Sequence, residues 1–307
     1  MDTANGMGFR PFAGLGPHQS FLGLAQSPES YEGARAVVIP APYDGTTTYR
    51  AGAREGPRAI LAASRELEPF DEEIGADVCE AGIATTEELP VSVASPRHMV
   101  GRVKSAVAAV FDAGKLPVLL GGEHLLSLGA VEALVERIPR LSVLHLDAHA
   151  DLKSEYQGSA FSNACVMHHV LRMARLVQVG IRSLTREERD VIREKDVPCF
   201  WGQKLWQDPS LWDRIVEFLG PEVYVSIDLD VFDPSIMPAV GTPEPGGVGW
   251  YEALRLLRRV ARERRVVGFD VMELSPIPQM PAPDFLAARL VYKLLGYILM
   301  DNGPKIC

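Results

Sequence analysis

The sequence predicts an α/β fold built on a mainly parallel sheet, and three observations carry that expectation. Short apolar runs alternate with longer amphipathic stretches, the order that strand–helix–strand crossovers require. The apolar runs are continuous rather than alternating, as in strands covered on both faces. The chain has 307 residues, enough to bury a large core and within what one α/β unit spans.

In chain order, a first strand is expected over 36–40 (AVVIP) and a helix over 57–67, opened by Pro57 in its first turn. Pro96 opens a second helix over 96–113, and Gly114 closes it. Strand 116–120, helix 125–137 and strand 142–146 follow, then strand 176–181 and helix 186–195. The remainder reads as strand 197–201, helix 211–219, strand 223–227, helix 250–264, strand 266–271 and helix 284–300. Residues 1–30, rich in Gly, Pro and Ser, read as an N-terminal arm, with 31–307 as the folded domain. The segment 233–249 (DPSIMPAVGTPEPGGVG) is too long for a turn and follows a strand, where active-site loops gather.

Composition excludes several classes. A chain 47% hydrophobic and 23% charged is neither disordered nor fibrous. No run approaches 18 apolar residues, so no membrane span is expected. The opening residues MDTANGMGFRPFAGLG lack the basic and apolar regions of a secretory signal. Cys79, Cys165, Cys199 and Cys307 form no CxxC pair, which fits neither a disulfide framework nor a zinc knuckle. A cytoplasmic protein is expected. With 31 basic against 40 acidic residues the net charge is −9, unsuited to binding nucleic acid and mildly favourable to a cationic small molecule.

The chemistry is concentrated where predicted strands end: LLGGEH (119–124), LHLDAHAD (144–151), YVSIDLD (224–230) and GFDVMEL (268–274). In an extended chain residues two apart share a face, so Asp147, His149 and Asp151 point together, as do Asp228 and Asp230. Buried groups of this kind are costly unless something compensates them. A single DxD or DxH often only caps the next helix; several at separate strand ends point to metal. Asp147, Asp151, Asp228 and Asp230 carry four negative charges that two divalent ions would balance. With His124 and His149 the donor set is all nitrogen and oxygen, which suits Mn²⁺, although zinc, iron or cobalt also accept such ligands.

GGEHLLS, DAHADL, SIDLDVFDPSIMPAVGTPEPGG and ELSP, together with YDGTTTYRAGAREGPRAI at 43–60, resemble the ureohydrolases, the family of arginase and agmatinase. The resemblance extends over roughly residues 35–300. It implies a single-domain, three-layer α/β/α fold on an open, mostly parallel eight-stranded sheet rather than a closed (β/α)₈ barrel, and assembly into trimers or hexamers. It further implies two Mn²⁺ per subunit, held by His124, Asp147, His149, Asp151, Asp228 and Asp230, with Asp147 and Asp228 bridging. Glu273 would pair with a guanidinium that is cleaved to urea and an amine. Agmatine is the first expected substrate, consistent with the Glu155-Tyr156 pair as substrate-binding residues. Aminopropylagmatine, guanidinobutyrate (which Lys153 would favour) and arginine are alternatives.

One position departs from the family. Asn163 stands where the resemblance expects a proton-shuttling histidine, and an amide does not exchange protons near neutral pH. His168 or His169, at the start of a predicted helix, is one replacement; Asp151 or bulk water is another. A metal-binding paralogue of little activity is the remaining reading. Glu123 is expected to orient its neighbours, and His145 to be a buried, hydrogen-bonded core histidine. Asp233 should cap a turn, Asp270 should support the centre from behind, and Arg50 and Arg54 should brace their loop.

Overall fold

A computed structural model describes residues 19–301. Eight strands form one sheet: β1 (Ala36–Ala41), β4 (Ile83–Thr85), β5 (Leu116–Gly121), β6 (Ser142–Leu146), β7 (Arg175–Ile181), β8 (Cys199–Trp201), β9 (Glu222–Asp228) and β10 (Arg265–Met272). Their order is β4-β1-β5-β10-β9-β6-β7-β8, open at both ends, with every pairing parallel. The open sheet is the expected one. A separate hairpin pairs β2 (Phe70–Asp71) with β3 (Ala76–Asp77).

Both sheet faces are covered, which is why the strands read as unbroken apolar runs. Val38, Leu120, Leu146, Ile227 and Val271 pack on one face beneath α2 (Gly56–Ser64), α9 (Trp250–Glu263) and α10 (Ala282–Leu299). Their chain neighbours Val37, Ile39, Leu119, Val143 and Met272 face the other layer, built from α3 (Pro96–Asp112), α4 (Ser127–Val135), α5 (Val166–Val170) and α6 (Arg186–Glu194). Pro57 and Pro96 do open α2 and α3, and Gly114 (φ 74°) ends the latter.

Several expectations need adjusting. β4 was not foreseen: three residues at a sheet edge leave almost no pattern. Short helices α1 (Pro28–Gly33) and α7 (Gly202–Gln207) were also absent from the sequence reading. The helix expected over 211–219 is α8 (Leu211–Arg214) followed by a 3₁₀ turn, Ile215–Phe218. Likewise 125–137 begins as a 3₁₀ turn, His124–Leu126, before α4. Of the arm expected over 1–30, the first 18 residues lie outside the described ones, while Phe21 is fully buried in the core. The packed body therefore starts near residue 20 rather than 31.

Candidate metal centre

β5, β10, β9 and β6 are the four central neighbours of the sheet, and each delivers its C-terminal end to one place. This is the crevice at the carboxyl edge where open α/β sheets carry their ligands. β5 ends in Gly121-Gly122 because the chain is crowded there: a Cβ on Gly122 would lie 1.9 Å from the Tyr43 carbonyl oxygen. That approach lets the N–H of Glu123 donate to Tyr43 O at 2.7 Å and brings His124 over the sheet.

The strand-face argument for the ligands holds only in part. β6 stops at Leu146 and β9 at Asp228, so Asp147, His149, Asp151 and Asp230 lie on turns beyond the strands. Convergence comes from the turns: Asp151 sits at φ 55°, and Ala148 N–H donates to Asp230 Oδ1 at 3.0 Å. Glu273, just past β10, is likewise left-handed at φ 66°. Left-handed backbone at non-glycine residues costs energy and clusters at functional sites.

The result is compact. Asp147, Asp151 and Asp228 each bring a carboxylate oxygen to His124 Nδ1, at 3.1, 3.4 and 3.3 Å. His149 Nδ1 lies 2.8 Å from Asp230 Oδ2 and 3.5 Å from Asp147 Oδ1. Asp147 thus faces both histidines. The ligand atoms of His124, His145, Asp147 and Asp151 lie within 4.8 Å of one another, as do those of Asp147, His149 and Asp230.

The chemistry of the donor set suits a cation. His124 Nδ1 is buried and has no hydrogen-bond partner, because its Nε2 is engaged with Ser226 Oγ at 2.9 Å. Ser226 Oγ donates in turn to Asp270 at 2.9 Å, and Tyr224 O–H donates to the same carboxylate at 2.7 Å. The Nδ1 lone pair is thereby aimed at three carboxylates. Burial would lower the pKa of His124, but the carboxylates of Asp147, Asp151 and Asp228 around its ring outweigh it and raise it well above the ordinary value. His149 is driven up to about 12, Asp230 overcoming burial. Burial, with the charge of Asp147, pushes Asp151 up to about 7. The residues present fit divalent metal: hard nitrogen and oxygen donors, excess negative charge and one orphaned imidazole nitrogen.

His124, His149, Asp151, Asp228 and Asp230 line a cavity of about 390 Å³ together with Thr47–Arg50, Lys153, Tyr156, Asn163, Ser183–Thr185, Glu188, Thr242, Glu244 and Glu273. Glu273 accepts the His124 N–H through Oε1 at 2.7 Å, and burial raises its pKa to about 8. Glu123 accepts the N–H (2.6 Å) and O–H (2.8 Å) of Thr46, and Thr46 Oγ1 accepts the Asn163 N–H at 3.1 Å. Arg54 braces Asp44 rather than the cavity, whereas Arg50 reaches Pro238 O at 3.4 Å across to the 233–249 loop. Asp233 ties that loop, taking the N–H groups of Ser235, Gly246 and Gly247.

Two expectations fail here. Glu155 is exposed and does not line the cavity, because the 156–159 turn (Tyr156 N to Ser159 O, 2.8 Å) presents Tyr156 instead, with Lys153 over its ring at 4.3 Å. His168 and His169 do begin a helix, but neither lines the cavity. His169 stacks on Phe161 and contacts Ala160 O at 2.8 Å. Sequence reasoning did not single out Ser183, Thr185, Glu188 and Glu244, although Thr185 and Glu188 form the capping box of α6 and Glu244 lies in the 233–249 loop. It also missed Ser226 and Gln178, each a polar residue inside an apolar strand.

The defining pattern of the Arginase family matches residues 34–296. The chain belongs to the arginase family. It is 44% identical over 276 residues to an N(1)-aminopropylagmatine ureohydrolase of Thermus thermophilus, covering 89% of this chain and 93% of that one. It is 41% identical over 277 residues to the Synechocystis sp. N(1)-aminopropylagmatine ureohydrolase, covering 87% and 90%. Its fold matches the agmatine ureohydrolase of Thermoplasma volcanium with a TM-score of 0.80 at 34% identity, over 87% of this chain and 91% of that one. As an arginase-family ureohydrolase, the enzyme hydrolyses guanidino groups. Among the described residues no helix is long and apolar enough to cross a membrane.

Proposed function

We propose that this ureohydrolase uses two Mn²⁺ to release urea from N(1)-aminopropylagmatine, with agmatine as the second reading. The carrying observation is the buried Glu273 beside the His/Asp cluster, in a cavity also lined by Glu188 and Glu244. An acidic lining suits a substrate that carries a guanidinium and further ammonium groups. The two relatives at 41–44% identity support the longer substrate, while the Thermoplasma structure supports agmatine.

His124, Asp147, His149, Asp151, Asp228 and Asp230 would hold the metal pair, which lowers the pKa of a bound water toward neutrality. Glu273 has one oxygen on the His124 N–H and offers the other to the planar guanidinium, fixing the guanidino carbon over the cluster. Departure of the amine requires a proton. Asn163 Oδ1 is taken by Ser162 O–H (2.9 Å) and Ala164 N–H (3.0 Å), leaving only its NH₂ for the cavity. Asn163 therefore orients and does not shuttle, and cavity water supplies the proton.

The test is urea release by metal-stripped and Mn²⁺-reconstituted enzyme on N(1)-aminopropylagmatine, agmatine, arginine and guanidinobutyrate. The expected result is Mn²⁺-dependent turnover with the highest kcat/KM for aminopropylagmatine. No urea from any of them, with manganese bound, would leave a binding protein in place of an enzyme.

A further inference from the structure

Gln178 is a polar side chain in the middle of β7 and is fully buried. Its Nε2 lies 2.7 Å from the carbonyl oxygen of Ala150 and 3.1 Å from His145 Nδ1. A carbonyl oxygen only accepts, so the amide orientation is fixed with its nitrogen toward Ala150. The second N–H of that nitrogen then donates to His145 Nδ1, which carries no proton. The proton of the neutral ring is therefore on Nε2, 2.8 Å from Asp147 Oδ2, and donates to it. Gln178, His145 and Asp147 are all completely buried.

The polarity of this chain is opposite to that at His124. There Ser226 and Asp270 hold the proton on the far nitrogen, so that a lone pair faces the cluster. Here Gln178 removes the proton from the far nitrogen, so that an N–H faces it. His145 lies within ligating distance of its neighbours, yet its inward atom is a donor.

We propose that Gln178 and His145 are positioning residues, and that His145 is not a metal ligand but the group that locks Asp147 in its bridging orientation. Gln178 acts twice, through His145 and through Ala150, the residue between His149 and Asp151. This inference rests on the metal-centre reading above. Hydrogen-bond donors behind a ligating carboxylate fix its rotamer and typically contribute about 10–100-fold in metal affinity or activity.

The test is calorimetric titration of the full-length, metal-stripped protein with Mn²⁺, alongside urea release, for wild type, His145→Phe, His145→Gln and Gln178→Leu. His145→Phe keeps a ring and loses the donor; its Mn²⁺ affinity is expected to fall about 10–100-fold. His145→Gln returns an N–H and should recover most of that loss, which a lost ligand would not allow. Gln178→Leu should weaken Mn²⁺ in the same direction, and it answers the question if His145→Phe does not fold. The proposal falls if His145→Phe or Gln178→Leu binds Mn²⁺ like wild type, or if His145→Gln is as impaired as His145→Phe. If wild type itself binds no Mn²⁺, the metal-centre reading falls first, and the relay with it.

Discussion

At the cavity wall Asn163 is the residue through which the proposed route of proton delivery is tested. Its backbone is tied to Thr46 and its side-chain oxygen to Ser162 and Ala164, so it is held at the cavity wall without a titratable group. Asn163→His is expected to raise kcat by about 10²-fold or more, the usual contribution of a positioned acid–base group, with KM little changed. Steady-state urea release checks this; an Asn163→His enzyme no faster than its parent means that proton delivery is not limiting. The side chains of the His/Asp cluster were legible because each is a charged or imidazole group in an otherwise apolar run. Glu155 misled because its direction depends on a turn that the sequence does not encode by period. Ser226 and Gln178 were equally visible anomalies, but the histidines they hold are 102 and 33 residues away in the chain.

At the scale of elements, the long helices and central strands followed from periodicity and caps, and the three-residue β4 did not. The β2–β3 hairpin escaped for another reason: what holds it is a long-range ion pair. Lys293 of α10 is almost fully buried, and its Nζ lies 3.2 Å from Asp71 Oδ1 and 2.9 Å from Glu72 Oε1. Lys293→Met would leave the buried Asp71 without its cation. Removing one partner of a buried pair typically costs about 3–5 kcal/mol. Urea unfolding followed by circular dichroism should show the midpoint of Lys293→Met falling accordingly with little change in slope. A midpoint within error of wild type would mean that the N–H groups of Glu73 and Ile74 on Asp71 suffice.

For the whole molecule, gathering acids at the carboxyl edge of four central strands ties stability to pH and to metal. Burial raises Asp151 to about 7 and Glu273 to about 8, from ordinary values near 4. In the folded, metal-free protein these groups hold protons that the unfolded chain gives up at lower pH. The stability they contribute is therefore complete below about pH 4 and is lost as pH rises through 7–8. Asp147 shifts in the opposite direction, but its effect falls below its ordinary value of 3.8. Divalent metal binds the ionised carboxylates and displaces those protons, so its stabilisation grows as pH rises. At a hundredfold excess over Kd each site adds about 2.7 kcal/mol. The difference in Tm between Mn²⁺-loaded and chelator-treated protein should widen from pH 6 to pH 8.5 while the Tm of the metal-free protein falls. Taking the difference cancels every titrating group remote from the cluster. A gap that stays constant or narrows would mean that these carboxylates are already ionised in the metal-free fold, with another cation in the place assigned to metal.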